Sequence, residues 1–242
     1  RKLAKKKFKI TVVTRNLHRK AYILKSQANA GWINIIELDS LNYEKLSEIF
    51  KNKDICINLI GILNEKNKSS FQNIHCLLPQ KLAEFSKKYN LKQFIHLSSL
   101  GISEATDSLY AKSKLEGETN ILDNFPLANI LRPSIVYSID DNFTTNFMTL
   151  LNRLPFFPLY YSGKTKFMPI HCSDLTDIIL DIITKKRNLN IIECVGPEVI
   201  TFKEIIKKLL VSIDRKRILF DMPFLLANLT ANFFQLLPKP LL

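Results

Sequence analysis

The sequence predicts a doubly wound α/β fold: a parallel sheet with helices on both faces, followed by a smaller α/β lobe. Two observations carry this. Short β-branched runs alternate with longer runs of helical period through the first two-thirds of the chain, the pattern of successive βαβ units. Asp54–Ile60 is almost continuously apolar, as expected of a strand buried on both faces of a parallel sheet. With 242 residues, 46% of them hydrophobic, the chain can bury the core of one large domain, or of one domain with a small appendage.

In order, Phe8–Thr14 reads as a strand, Trp32–Leu38 as a second, and Tyr43–Phe50 as a short helix. Asp54–Ile60 is the third strand. Ser69–Tyr89 carries helical periodicity through Phe71, Ile74, Leu77, Leu78, Leu82 and Phe85. Gln93–Leu97 is a strand ending in Ser98-Ser99, Ser108–Leu122 a helix, and Ala128–Leu131 a strand stopped by Arg132-Pro133. These place a sheet domain at 1–137. The remainder, 138–242, reads as a small lobe interleaved with the sheet edge, where ligands bind in such folds. Its elements are helices at Phe143–Leu154, Leu175–Thr184 and Phe202–Ser212, with strands at Lys166–Ile170 and Ile191–Val195. Met222–Leu242 is apolar and interrupted, ended by Pro238-Lys239-Pro240. It reads as core, with a docking face for a partner or a membrane surface as the other reading.

Composition excludes several classes. No apolar run reaches the ~18 residues of a membrane-spanning helix. The net charge of +13 comes from scattered lysines without interleaved aromatics, so a nucleic-acid partner is not expected. The four cysteines have no metal-ligand spacing, which points to a reducing compartment and no metal site. His75 and His96 have no companion ligands and read as hydrogen-bonded structural histidines. The six glycines (31, 61, 101, 117, 163 and 196) are never closer than sixteen positions, so neither a P-loop nor a G-x-G-x-x-G turn is present.

The chemistry-bearing set is Ser99, Tyr110 and Lys114. Tyr110 and Lys114 are four apart on a predicted helix and project from one face. An ammonium beside a phenol favours the phenolate, lowering its pKa from about 10 and making it a usable acid/base. A strand-terminal Ser supplies a hydroxyl for a substrate oxygen.

In these stretches the chain resembles the short-chain dehydrogenase/reductase superfamily. More narrowly it is similar to the atypical, epimerase-like branch that contains the NAD(P)H-binding accessory subunit of respiratory complex I. The resemblance runs through Val12–Asn16, Asn58–Leu63, Phe94–Gly101, Tyr110–Lys114 with Gly117-Glu118, Leu131–Tyr137, Met168–Ile170 and Gly196–Thr201. It implies a Rossmann-like sheet whose first strand and glycine-rich turn precede Arg1. It thus implies a truncated sequence, expected to be unstable and to bind cofactor poorly by itself. It also implies site roles. Arg15, with Arg19 nearby, would take a 2′-phosphate, favouring NADP(H) over NAD(H). Asp39 and Ser40 would contact adenine, and Leu59, Ile60 and Gly61 the cofactor ribose. Ser98 would lie along the cofactor, Tyr110 and Lys114 would reach the nicotinamide ribose, and Pro133 and Ile135 the nicotinamide. The implied partners are a nicotinamide dinucleotide, complex I subunits and the membrane surface, in the cytoplasm or the mitochondrial matrix. Two further readings are a free-standing NAD(P)-dependent oxidoreductase or epimerase using the Ser-Tyr-Lys site, and a redox-sensing regulator.

Overall fold

A computed structural model describes residues 1–66 and 69–222. In chain order the elements begin with α1 (Lys2–Lys5), β1 (Ile10–Thr14), α2 (Leu17–Lys25), β2 (Ile33–Glu37), α3 (Tyr43–Phe50) and β3 (Ile55–Asn58). A π-helical turn (Gln72–Leu77) leads into α4 (Leu78–Lys88), followed by β4 (Gln93–Leu97), α5 (Leu109–Asn124) and β5 (Asn129–Pro133). Then come β6 (Val136–Tyr137), α6 (Asn142–Arg153), β7 (Phe156–Leu159), β8 (Lys166–Phe167), β9 (Ile170–His171) and α7 (Cys172–Lys185). The last are β10 (Ile191–Cys194), β11 (Ile200–Thr201), α8 (Phe202–Ser212) and β12 (Ile218–Asp221).

The chain divides into two compact units. The first is Arg1–Pro133 with Ser173–Cys194; the second is Ser134–Cys172 with the residues from Val195 onward. The sequence division at 137/138 places 173–194 in the second part. In the structure those residues belong to the first, because β10 pairs in parallel with β5, Ile191 opposite Ile130.

The first unit is a parallel α/β structure, as its βαβ rhythm predicts. Four strands run in the order β10-β5-β4-β3, and β1 pairs in parallel with β2 as a separate sheet. Leu46, Phe50, Leu78, Leu82, Phe94 and Ile121 pack α3, α4 and α5 onto β4. Both β1 and β3 line an apolar cavity of about 1770 Å³, contributing Ile10, Val12, Ile55 and Ile57. Among the described residues each is bonded to a strand partner on one side only.

Local sequence explains the helix ends. Ser108 Oγ accepts from the Ala111 N–H at 3.3 Å and starts α5. Asn42 Oδ1 accepts from the Lys45 N–H at 3.2 Å and starts α3. The helix expected over Ser69–Tyr89 opens instead with a π-helical turn, in which the Leu78 N–H donates to the Asn73 carbonyl. Pro79 has no N–H to return to the His75 carbonyl four residues back, so a regular α-turn is disfavoured there. Gly117 of α5 meets this turn at close range: a Cβ at Gly117 would lie 1.8 Å from the His75 carbonyl oxygen.

The second unit pairs β6 with β9 and β7 with β12 in parallel, and β8 with β11 antiparallel. Its core is Phe147, Leu151, Phe157, Leu159, Ile206 and Leu210. A reciprocal capping box fixes the start of α8: Glu204 N–H donates to Thr201 Oγ1 at 3.3 Å, and Thr201 N–H to Glu204 Oε2 at 2.7 Å. The strand expected over Lys166–Ile170 is two short strands, divided at Met168-Pro169. Phe156–Leu159 is a strand whose partner, Ile218–Asp221, lies 62 residues downstream. The reading of Met222–Leu242 falls, from residue 223 on, outside the described residues. Among the described residues no helix is long and apolar enough to cross a membrane.

Candidate functional site

Parallel pairing brings the carboxyl ends of β3, β4 and β5 to one sheet edge, with Asn58 opposite His96 and Leu97 opposite Leu131. The ladder continues past β4. Ser98 N–H donates to the Leu131 carbonyl at 2.7 Å, and Leu100 N–H to the Pro133 carbonyl at 2.9 Å. Ser98 and Ser99 are therefore held in an extended backbone. Ser98 is buried, and its hydroxyl has no hydrogen-bond partner among the described residues.

Asn58 shapes the adjoining turn. Its Oδ1 accepts from the Ile60 N–H at 3.1 Å, which leaves Nδ2 to donate to His96 Nδ1 at 3.0 Å. Gly61 follows. A Cβ there would sit 3.3 Å from Lys114 Nζ and 3.9 Å from His75 Nε2, so the bare backbone passes close to both.

On α5, Tyr110 and Lys114 stand one turn apart, as their spacing predicts. Lys114 is buried; its ammonium lies 5.9 Å from the Tyr110 ring centroid and donates one bond, of 3.3 Å, to the Leu97 carbonyl. An ammonium has three donors, so two have no partner among the described residues. Burial pushes the Lys114 pKa down to about 8, against the raising effect of the Glu118 carboxylate. A lysine at that value exchanges protons close to neutrality. Glu118 itself is engaged by Arg132 through two bonds, of 3.0 and 2.6 Å. The Tyr110 ring is half-buried, edge-on to His75 with centroids 5.3 Å apart.

Both sequence-flagged histidines are hydrogen-bonded members of this region. His75 bonds Ile62 and Ser113, and His96 bonds Asn58. Burial first, and then the Lys114 charge, lowers His75 to about 4 and His96 to about 3. Burial also raises the thiols of Cys56 and Cys76 to about 12, so these cysteines stay protonated. Among the described residues no three His, Cys, Asp or Glu side chains converge as a metal site would require.

The histidine shifts carry a stability prediction. The folded pKa values lie below the ordinary value of 6.5, so on acidification the unfolded chain takes up protons first. The stability is present above 6.5 and lost as pH falls toward 4. Urea unfolding between about pH 6.5 and 5 is expected to lose roughly 1.4 kcal/mol per pH unit for each histidine. His96→Gln should flatten that slope; an unchanged slope would contradict the assignment.

Four of the other predicted residues, Arg15, Arg19, Asp39 and Ser40, follow the strands of the separate β1–β2 sheet. Arg15 follows β1, is exposed, and donates to Ser69 Oγ at 3.3 Å. Arg19 lies on α2, with its side chain outside the described part of the structure. Asp39 is exposed and its Oδ1 accepts from the Leu41 N–H at 3.1 Å; Ser40 is buried. Leu59 and Ile60 lie in the turn after β3, Pro133 ends β5, and Ile135 belongs to the second unit. Sequence reasoning missed Asn58 and Ser113. The available signal was a polar residue ending an apolar parallel strand.

Comparison with known proteins agrees with the α/β fold. The model of the NAD dependent epimerase/dehydratase family matches residues 1–192, and the chain belongs to that family. A relative is NADH dehydrogenase [ubiquinone] 1 alpha subcomplex subunit 9, mitochondrial, of Dictyostelium discoideum. It is 30% identical over 182 residues, covering 75% of this chain and 50% of that protein. Another is the NADH-ubiquinone oxidoreductase 40 kDa subunit, mitochondrial, of Neurospora crassa, 24% identical over 205 residues, 84% of this chain and 53% of that one. The chain thus spans about half the length of the curated relatives it matches. Among solved structures, a UDP-glucuronic acid 4-epimerase from Bacillus cereus in complex with NAD superposes with a TM-score of 0.73. It is 21% identical and covers 91% of this chain and 79% of that one, a likeness of fold.

Proposed function

We propose that the chain is the nucleotide-holding part of a nicotinamide-dinucleotide-binding protein that associates with respiratory complex I in the mitochondrial matrix, peripheral to the inner membrane. The likeness to complex I subunits over three quarters of the chain carries this reading. The site is suited to the nucleotide: among the described residues Lys114 keeps two donors without a partner and the Ser98 hydroxyl is unpartnered, while Gly61 presents bare backbone beside Lys114. When bound, the nicotinamide supplies a hydride donor or acceptor.

In this reading Lys114 and Tyr110 hold the nicotinamide ribose. Leu59, Ile60 and Gly61 flank the adjoining ribose with backbone, and Ser98 lies along the cofactor. Asp39 and Ser40 border the adenine, and Pro133 and Ile135 the nicotinamide. Arg15, with Arg19, pairs with a 2′-phosphate and favours NADP(H). In the full-length protein Arg15→Glu should weaken NADPH binding about tenfold or more and NADH binding little, by fluorescence titration. Equal effects on both would defeat the NADP(H) assignment. Co-migration with complex I on native gels of mitochondrial membranes supports the association, and free migration contradicts it.

A second reading is a free-standing oxidoreductase or epimerase, favoured by the retention of Ser99, Tyr110 and Lys114 together. There Ser99 orients a carbonyl, and the Tyr110 hydroxyl gives or takes the proton with Lys114 beside it. Turnover of carbonyl substrates that Tyr110→Phe abolishes would select this reading. Tight nucleotide binding without such turnover would sink it.

A further inference from the structure

We propose that His75 is a positioning residue: its neutral imidazole holds the Gly61–Ile62 backbone against the turn of α5 that carries Tyr110 and Lys114. The inference rests on the dinucleotide reading for its consequence, and on hydrogen-bond geometry for its substance. The Ile62 N–H donates to His75 Nε2 at 3.1 Å, and a backbone N–H can only donate, so Nε2 carries no proton. The proton of the neutral ring is therefore on Nδ1, which donates to Ser113 Oγ at 2.9 Å. The Ser113 hydroxyl in turn donates to the Tyr110 carbonyl at 2.8 Å. One ring thus links the turn after β3 to the backbone of the proposed acid/base.

The ring cannot swing away from this task. Phe71 stacks on it with centroids 5.2 Å apart at an interplanar angle of 18°, and Tyr110 stands edge-on at 88°. His75 is 2% exposed. Burial and the nearby Lys114 ammonium keep it uncharged at neutral pH, the one state in which Nε2 accepts while Nδ1 donates. His75 Nε2 and Lys114 Nζ both lie within 4 Å of where a Gly61 Cβ would stand, so a side chain there would crowd both groups.

Three substitutions in the full-length protein separate positioning from space filling. His75→Phe keeps an aromatic ring but leaves the Ile62 N–H without its acceptor and the Ser113 oxygen without its donor. His75→Gln places a carbonyl where Nε2 was and can still accept from Ile62. His75→Asn places an amide where Nδ1 was and can still bond Ser113. Nitrogen NMR of the wild type is expected to show a protonated Nδ1 and an unprotonated Nε2. Hydrogen exchange of the Ile62 amide should accelerate about tenfold or more in His75→Phe and His75→Asn, and stay near wild type in His75→Gln. NADPH affinity should follow the same order, with circular dichroism unchanged. The opposite tautomer, or an Ile62 amide indifferent to His75→Phe, overturns the proposal. If the wild type binds neither NADPH nor NADH, the dinucleotide reading falls by itself. The tautomer and the Ile62 exchange rate then decide the positioning role alone.

Discussion

Replacing Gly117 by Ala is expected to cost the first unit about 3 kcal/mol or more, the upper range for overpacking a filled site. The added Cβ would stand 1.8 Å from the His75 carbonyl oxygen. The neighbour is backbone and a Cβ has no rotamer, so neither can turn away, and α5 must lift off the π-helical turn. At the scaling for a chain of this size the melting point should fall by roughly 6–12 °C. The same displacement pulls Ser113 from His75, so nucleotide affinity should fall with stability. Thr119→Ala, on the exposed face of the same helix, is the control and should stay within about 0.5 kcal/mol of wild type. Equal melting of Gly117→Ala and wild type would show that the approach of α5 to this turn is wrong.

The second large effect is expected at the Arg132–Glu118 pair. Both side chains are nearly enclosed, 12% and 3% exposed, and Arg132 presents two nitrogens to the carboxylate. That hydrogen bonding also raises the Arg132 pKa, so the guanidinium remains charged. Arg132→Leu leaves the Glu118 carboxylate buried without its partner, an uncompensated charge that costs about 3–5 kcal/mol. The double variant Glu118→Leu with Arg132→Leu removes both charges and should recover much of that loss, since apolar replacement of a buried pair is often near neutral. Chemical unfolding of the four proteins measures the cycle. Additive losses would contradict the description of the pair as buried and mutually dependent. Removing Glu118 also takes away the carboxylate that holds the Lys114 ammonium in its charged form, so Lys114 should titrate lower still.

Where local chemistry sets an element, the sequence predicts it to the residue. Tyr43–Phe50 and Phe202–Ser212 are helices as read, because Asn42 and the Thr201–Glu204 box fix their starts. The parallel sheet follows from the apolar runs at Ile55–Asn58 and Gln93–Leu97. The helix Leu17–Lys25 was not legible: His18, Arg19, Lys20 and Lys25 dilute its apolar period, and Asn16 makes no side-chain cap. The strand Phe156–Leu159 was hidden by its prolines and by a partner at Ile218–Asp221.

The candidate site divides the same way. Tyr110 and Lys114 announce themselves by spacing on one helix. Asn58 with His96, and His75 with Ser113, are pairs thirty-eight residues apart. No local pattern reports such a bond; it exists only after β3 and β4 have paired and α5 has packed on the π-helical turn.

The most direct test of the account is calorimetric titration of the full-length protein with NADPH and NADH, comparing wild type with Lys114→Met. In the proposed reading the buried ammonium would supply donors to the ribose hydroxyls. Saturable binding of NADPH, weakened by Lys114→Met about tenfold or more with melting retained, is the predicted result. Absence of saturable binding of either nucleotide, or binding indifferent to Lys114→Met, would contradict it.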